Sequence, residues 1–163
     1  NASLTGHLVF STLHTNDAPS AVTRLTDIGV KPFLIASATR CLMAQRLVRK
    51  ICQKCEMPAT PENSDLLALG LDLDQIKDPN FKAGKGCDKC NGTGHKGRFG
   101  LFEVFVVDDE SRKMIVNQVT TTELRKRARE VGMRTLREDG ARKAVAGMTT
   151  ANEVLRVTVG DED

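Results

Sequence analysis

The hydrophobic and polar positions at the start of the chain alternate in a way typical of an α/β protein. An apolar run, LVF, lies within residues 7–14 and predicts a buried strand. Apolar residues then recur every three or four positions up to Ile28, which predicts an amphipathic helix. We expect Asp17 to cap this helix, Pro19 to lie in its first turn and Gly29 to end it.

A second helix is predicted to begin near Pro32 and to continue through FLIASATRCLMAQRLV. This stretch is apolar on most sides, so we expect the helix to be largely buried. Cys41 lies within it and is expected to be a small core residue.

The pattern changes at Cys52, where regular periodicity stops. Residues 52–97 are rich in Pro, Gly, Asn, Asp and Lys, which indicates a loop-rich insert with one short helix around SDLLALG. Such a segment has little core of its own and needs a covalent or metal cross-link. RFGLFEVFVV then predicts a strand that returns to the main body.

The remaining residues are predicted to be helical. Asp108 or Asp109 is expected to open a helix over ESRKMIVNQV. Three capping boxes follow, each with a threonine and a glutamate three residues apart: Thr120 with Glu123, Thr135 with Glu138, and Thr150 with Glu153. The basic run RKRARE is predicted to be a solvated face, with a subunit contact as the alternative.

Four of the five cysteines form two Cys-x-x-Cys pairs, Cys52 with Cys55 and Cys87 with Cys90. Two such turns can present four thiolates as a tetrahedron, which is the geometry of a structural zinc site. Four cysteines leave no open position for water, so we expect a structural metal and no catalytic one. A redox dithiol or a disulfide is the alternative, although neither pair opens a helix after a strand.

Composition and charge narrow the possible functions. The chain has 163 residues and a formal charge of +3, with 40% hydrophobic and 28% charged residues. That charge is too small to favour nucleic acid or anionic lipid as a partner. No apolar run is long enough for a membrane span, and no secretory signal precedes the first predicted strand.

A polar cluster, STLHTN, follows the first predicted strand. Ligands of open α/β sheets bind beyond the carboxyl ends of the strands, where Thr12 and His14 would then lie. A histidine there can donate a hydrogen bond to a phosphate oxygen or orient an attacking water. The alternative is that His14 caps the next helix or satisfies a nearby carbonyl group.

TGHLVFSTLHTNDA resembles the histidine box of the secretion ATPase superfamily, the hexameric motors of type II secretion and type IV pilus assembly. AQRLVRKICQKC and CDKCNGTGHKGRFGLFE are similar to the two halves of that family's tetracysteine element. TLREDGARKAVAGMTTANEVLRVT resembles its C-terminal helices. CDKCNGTG also fits a repeat of the DnaJ chaperones, but CEMPA after the first pair does not.

The resemblance implies an α/β fold: part of a RecA-like P-loop NTPase core with a small tetracysteine zinc insert and a C-terminal helical tail. The core portion would be residues 1–51, the zinc-binding insert residues 52–97, and the return strand with the helical region residues 98–163. The superfamily's retraction motors generally lack the insert, so the cysteines favour the secretion or assembly branch.

The resemblance also implies roles for individual residues. His14 matches the histidine placed toward the terminal phosphate and His7 the earlier box histidine, so both are predicted to be catalytic. Thr12, His14 and Arg98 are predicted to contact the nucleotide. A salt bridge or a carbonyl contact is the alternative for Arg98. Arg49, like its neighbour Arg46, is expected to contact either nucleotide or another subunit.

The phosphate-binding pattern Gly-x-x-x-x-Gly-Lys-Ser/Thr is absent from the chain. We expect it, with an acidic box and a Mg²⁺-directing acidic strand, to lie before residue 1 of a longer protein. The chain alone is therefore predicted to bind ATP poorly and to hydrolyse none.

For that longer protein the resemblance implies ATP and Mg²⁺, a structural Zn²⁺, a homo-hexamer, and inner-membrane platform proteins as partners. It implies a cytoplasmic location, peripheral to the inner membrane. The alternative is a stand-alone, zinc-stapled protein-binding module without enzymatic activity.

Overall fold

The computed structural model describes residues 2–72, 76 and 78–159. The predicted mixed α/β class is confirmed, since helices and strands both occur in the described residues. The helices are α1 (Ser20–Asp27), α2 (Pro32–Ala38), α3 (Asn63–Ala68), α4 (Asp109–Val116), α5 (Thr121–Glu130), α6 (Leu136–Val145) and α7 (Ala151–Val157). The strands are β1 (Cys41–Ile51), β2 (Glu56–Pro58), β3 (Lys82–Gly84) and β4 (His95–Val106), and short 3₁₀ turns cover Ala2–Thr5 and Asp88–Cys90.

The chain folds into two compact units. The first contains Asn1–Ala44 and Glu103–Arg134, and the second contains Gln45–Phe102 and Thr135–Asp163. Strands β1 and β4 pair in a two-stranded sheet, and β2 and β3 pair in another. The second sheet is antiparallel, with Glu56 opposite Gly84. The three-part domain division stays a prediction.

The first unit is built from α1, α2, α4 and α5. Its buried side chains include Ile35, Phe105, Ile115 and Leu124. The Arg112 guanidinium on α4 donates hydrogen bonds to three backbone carbonyl groups, those of Ala36, Thr39 and Val107, at 2.9, 3.3 and 3.0 Å. One side chain therefore ties α4 to the carboxyl end of α2 and to the residue after β4.

The predicted strand over residues 7–14 is wrong. The structure has no regular secondary structure there, and Leu8 and Phe10 are 79% and 87% exposed. A strand is stable only when its backbone groups pair with a neighbouring strand. No described strand of this chain lies beside residues 7–14. The apolar run LVF therefore resembles a strand in sequence but does not form one in the structure.

The predicted second helix is correct only in its first half. It ends at Ala38, and residues 41–51 form β1 instead. The buried residues of β1 are Ala44, Val48 and Ile51, whose spacing imitates a helical face. In a strand Ala44 and Val48 share one face and Ile51 lies on the other. Cys41 is consequently exposed and is not the predicted core residue.

Most local predictions in the second half of the chain are confirmed. α3 lies in the SDLLALG segment, β4 covers the return strand, and the Asp108 carboxylate caps α4 by accepting from the Ser111 N–H at 2.9 Å. The capping boxes at Thr120 and Thr135 are complete. The basic run of α5 is only partly solvated, because Arg125 pairs with Asp17 at 2.8 Å and Arg127 pairs with Asp108.

The third capping box is only half formed. The Thr150 hydroxyl accepts from the Glu153 N–H at 3.3 Å, but the Glu153 carboxylate pairs with Arg49 and Arg156. Glu153 is 2% exposed. Its burial alone raises the pKa, yet hydrogen bonds from the two arginines hold the pKa of Glu153 below its usual value. The carboxylate thus links α7 to β1 as an anion.

In the second unit α6 and α7 pack closely at Gly140. A Cβ atom at this position would collide with Val154 Cγ1 and lie 3.1 Å from Leu101 Cδ1. Val154 and Leu101 are both fully buried, so neither can move aside without disturbing the core. Gly140 is therefore required for helix contact, although glycine weakens a helix.

We expect Gly140→Ala to destabilise the protein. Alanine favours the helix by about 1 kcal/mol, but overpacking a closed core costs about 1–3 kcal/mol, so the collision prevails. Urea denaturation measures the change. In a Val154→Ala background the same substitution should lower the free energy of unfolding by less, because the colliding methyl group is gone. A stabilised Gly140→Ala protein would contradict this packing.

Glu153 should make stability depend on pH. Because its pKa is lowered in the folded state, its contribution is complete above the usual value of 4.5 and is lost as pH falls through the folded pKa. At neutral pH, Glu153→Gln should lower the free energy of unfolding by about 2 kcal/mol. It should also reduce the loss of stability that the protein shows as the pH falls into the acidic range. Thermal unfolding between neutral and acidic pH measures both. Glu110→Gln, which removes an exposed carboxylate on α4, should change neither.

Candidate functional site

The four predicted cysteines converge in the second unit. The sulfur atoms of Cys52, Cys55, Cys87 and Cys90 all lie within 4.8 Å of one another. Three of the separations are 3.9 Å for Cys52–Cys87, 3.9 Å for Cys55–Cys90 and 3.7 Å for Cys87–Cys90. A disulfide needs a separation of about 2.05 Å, so these sulfur atoms are four free thiols.

Each Cys-x-x-Cys pair is shaped by its own tight turn. The Cys55 N–H donates to the Cys52 carbonyl and the Cys90 N–H to the Cys87 carbonyl, both at 3.1 Å. The first pair joins the end of β1 to β2, and the second occupies the 3₁₀ turn before β4. The Cys52 N–H also donates to the Gly94 carbonyl at 2.9 Å, which links the two turns.

Backbone amides point at the sulfur atoms. The N–H groups of Cys87 and Gly94 lie 3.2 and 3.3 Å from Cys90 Sγ, and the Gly86 N–H lies 3.3 Å from Cys55 Sγ. Burial raises the pKa of Cys90, but these amides and the neighbouring thiols outweigh it and lower the pKa to about 6. Burial and the neighbouring thiols raise the pKa of Cys55 to about 12. One thiolate therefore forms readily, and a full set needs a bound cation.

The sulfur positions fit a zinc ion. A tetrahedral centre with Zn–S bonds of 2.3 Å has sulfur–sulfur edges of about 3.8 Å, close to the separations found here. Four thiolates complete the coordination, and the amide hydrogen bonds are the outer contacts that usually support such a centre. The arrangement can hold a structural metal and leaves no position for a reacting ligand.

The residues predicted for the nucleotide fall into the two units. His7, Thr12 and His14 are exposed in the first unit, on the irregular segment that precedes α1. The His7 Nδ1 atom lies 3.0 Å from the Thr5 hydroxyl. Arg98 is exposed on β4 in the second unit. Their predicted catalytic and nucleotide-binding roles stay predictions.

Arg98 borders a cavity of about 570 Å³ whose other polar side chains are those of Arg49 and His95. His95 Nδ1 lies 3.0 Å from the Thr93 carbonyl, whereas its Nε2 is buried with no hydrogen-bond partner in the described part of the chain. Sequence reasoning missed His95. Its place between a Gly-Thr-Gly turn and the start of a strand was the available signal.

Comparison with known proteins identifies the family. The sequence profile described as "Type II/IV secretion system protein" matches residues 1–156. The chain belongs to this family. The resemblance to the secretion ATPases is thereby confirmed, and it extends over nearly the whole chain.

Characterised relatives come from both branches of the family. The chain is 49% identical over 158 residues to the type IV pilus assembly ATPase PilB of Thermus thermophilus, covering 97% of this chain and 18% of the relative. It is 48% identical over 157 residues to the type II secretion system protein HxcR of Pseudomonas aeruginosa, covering 96% and 29%. Type II secretion system protein E of the same organism is 45% identical over 157 residues, covering 96% and 31%. The chain thus spans less than a third of each of these relatives.

None of the helices in the described ranges is both long enough and apolar enough to cross a lipid bilayer.

We expect the purified chain to contain one zinc ion, and Cys87→Ser to abolish its retention. Loss of one thiolate opens the coordination sphere and removes the metal's contribution to folding. Metal analysis by mass spectrometry measures the content, and thermal unfolding measures the loss of stability. Cys41→Ser is the matched control, because Cys41 lies on β1 outside the cluster. Equal zinc retention in both variants would contradict the assignment.

Proposed function

We propose that this chain is the C-terminal portion of a hexameric ATPase that powers type II protein secretion or type IV pilus assembly. The observation that carries the proposal is the family match over residues 1–156. Relatives of 38–49% identity bear the names of pilus assembly ATPases and type II secretion proteins. Because the chain covers only 18–31% of these relatives, the activity belongs to the longer protein.

In that protein the exposed segment before α1 contributes to the ATP site. His14 donates a hydrogen bond to the terminal phosphate, Thr12 contacts a phosphate oxygen, and His7 supports the segment from its other end. Donors in these positions stabilise the negative charge that grows during phosphoryl transfer. Their high exposure in this chain agrees with side chains that are free to meet a ligand.

Arg98 is also proposed to contact the nucleotide. Its guanidinium borders the cavity that Arg49 and His95 also line, and no described carboxylate pairs with it. An unpaired arginine is available to bind phosphate in a two-point geometry. The Mg²⁺ ligands and the phosphate loop are expected in the part of the protein before residue 1.

The tetracysteine centre is proposed to hold a structural zinc that keeps the loops of residues 52–97 in place. Four thiolates at zinc-like separations support this role. The partners proposed for the longer protein are five further copies of itself and the inner-membrane platform of the secretion or pilus machine. Its proposed location is the cytoplasmic face of that membrane.

The proposal predicts that the isolated chain releases no phosphate from Mg-ATP, whereas the longer protein does. In the longer protein His14→Ala should lower kcat by about 100-fold, the usual effect of losing a donor at a developing charge. Arg98→Ala should also lower kcat/KM. Arg142→Ala, an exposed arginine of α6, is the matched control and should leave the rate unchanged.

Steady-state phosphate release measures these rates, and sequencing the reading frame before Asn1 tests the architecture. ATP turnover by the isolated chain would contradict the proposal that its phosphate loop and Mg²⁺ ligands lie outside these 163 residues. A reading frame without a phosphate loop would favour the alternative, a zinc-stapled protein-binding module.

A further inference from the structure

A second cavity lies directly beside the tetracysteine centre. It measures about 430 Å³, and Cys52 contributes to its wall. Among the residues that the structure describes, no acidic side chain lines it and five cationic ones do: Lys50, Lys54, Lys89, Lys96 and Arg98. The whole chain carries 24 basic and 21 acidic residues, so this cluster is a local concentration of charge and does not reflect the general composition.

These five cations differ from several others in the described part of the chain. Arg49, Lys82, Arg125 and Lys143, for example, each pair with a carboxylate. None of the five makes an ion pair or a side-chain hydrogen bond with any residue in the described ranges. Like charges held around one concave space repel each other unless an anion enters it.

The metal centre neutralises part of this charge. Four thiolates and one Zn²⁺ carry a net charge of about −2, and Lys54 and Lys89 lie inside the two Cys-x-x-Cys turns. Those two lysines suffice to balance the centre. Lys50 on β1 and Lys96 and Arg98 on β4 lie outside the turns and are left in excess.

We propose that this cavity binds a phosphate-bearing anion. Its volume falls in the range of small-molecule sites, which suits a compact ligand better than a protein surface. Arg98 supplies a planar fork for two phosphate oxygens, and the lysines supply point charges around it. The phosphate belongs either to a soluble polyphosphate compound or to a lipid headgroup. The four lysines have no part in the proposed ATP site, and Arg98 is the one residue through which this proposal rests on the proposed function.

Binding is measured with the zinc-loaded 163-residue chain and two probes. The first is inorganic tripolyphosphate, titrated by calorimetry. The second is phosphatidylcholine vesicles with or without phosphatidylglycerol, assayed by sedimentation. Lys50→Gln with Lys96→Gln should weaken binding by about tenfold, because two charge-assisted contacts are lost. Lys54→Gln with Lys89→Gln should have a similar effect.

Lys31→Gln with Lys126→Gln is the control, since it removes the same net charge from exposed positions of the first unit. It should weaken binding by less than about twofold. Zinc content, measured for every variant, separates loss of the anion site from loss of the metal.

Selective loss of tripolyphosphate binding in the cavity variants supports a soluble ligand. Selective loss of binding to the phosphatidylglycerol vesicles alone supports a headgroup. Absence of binding to both probes, or equal weakening by the control pair, overturns the proposal. Poly-glutamate, titrated in the same way, is a competitor probe. Tighter binding of poly-glutamate than of tripolyphosphate also overturns the proposal, because the cavity then prefers an acidic polypeptide.

Discussion

The convergence of four cysteine sulfurs within 4.8 Å is the constraint on which the loops of the second unit depend. Four thiolates at this separation would repel one another strongly, and a cation bound by all four would cross-link the two turns. The cross-link joins the end of β1 to the turn before β4, which the Cys52–Gly94 hydrogen bond and the short β2–β3 pairing also connect. The described elements between residues 52 and 94 are all short, namely α3, β2, β3 and one 3₁₀ turn. A metal cross-link can stabilise such a segment, which has little core of its own.

The same constraint determines the charges around the centre. Cross-linking the two turns brings Lys54 and Lys89 beside the sulfur atoms, and it gathers Lys50, Lys96 and Arg98 around one cavity. Glu153 on α7 pairs with Arg49, one residue before Lys50, so the helical end of the unit is tied to the same strand. The cysteine cluster, the buried carboxylate of Glu153 and the unpaired cations thus lie near the end of β1.

Features that depend on neighbouring residues were predictable. Cys-x-x-Cys spacing, the Asp108 cap and the boxes at Thr120 and Thr135 are satisfied within a few residues. The third box is the exception, because the distant Arg49 pairs with Glu153. The four cysteines of the cluster could therefore be named in full. The Arg49–Glu153 pair could not, because an ion pair across 104 residues leaves no local pattern. The turn before His95 was visible in the sequence, but the burial of its Nε2 atom was not.

The sequence by itself determined the four cysteines of the cluster, most of the helix caps and membership of the family, since short motifs specify each of them. Only the tertiary structure decided whether residues 7–14 and 41–51 became strands. An apolar run specifies burial but not the partner that pairs its backbone. Residues 41–51 pair with β4 and form the strand β1. Residues 7–14 have no described strand beside them and are irregular.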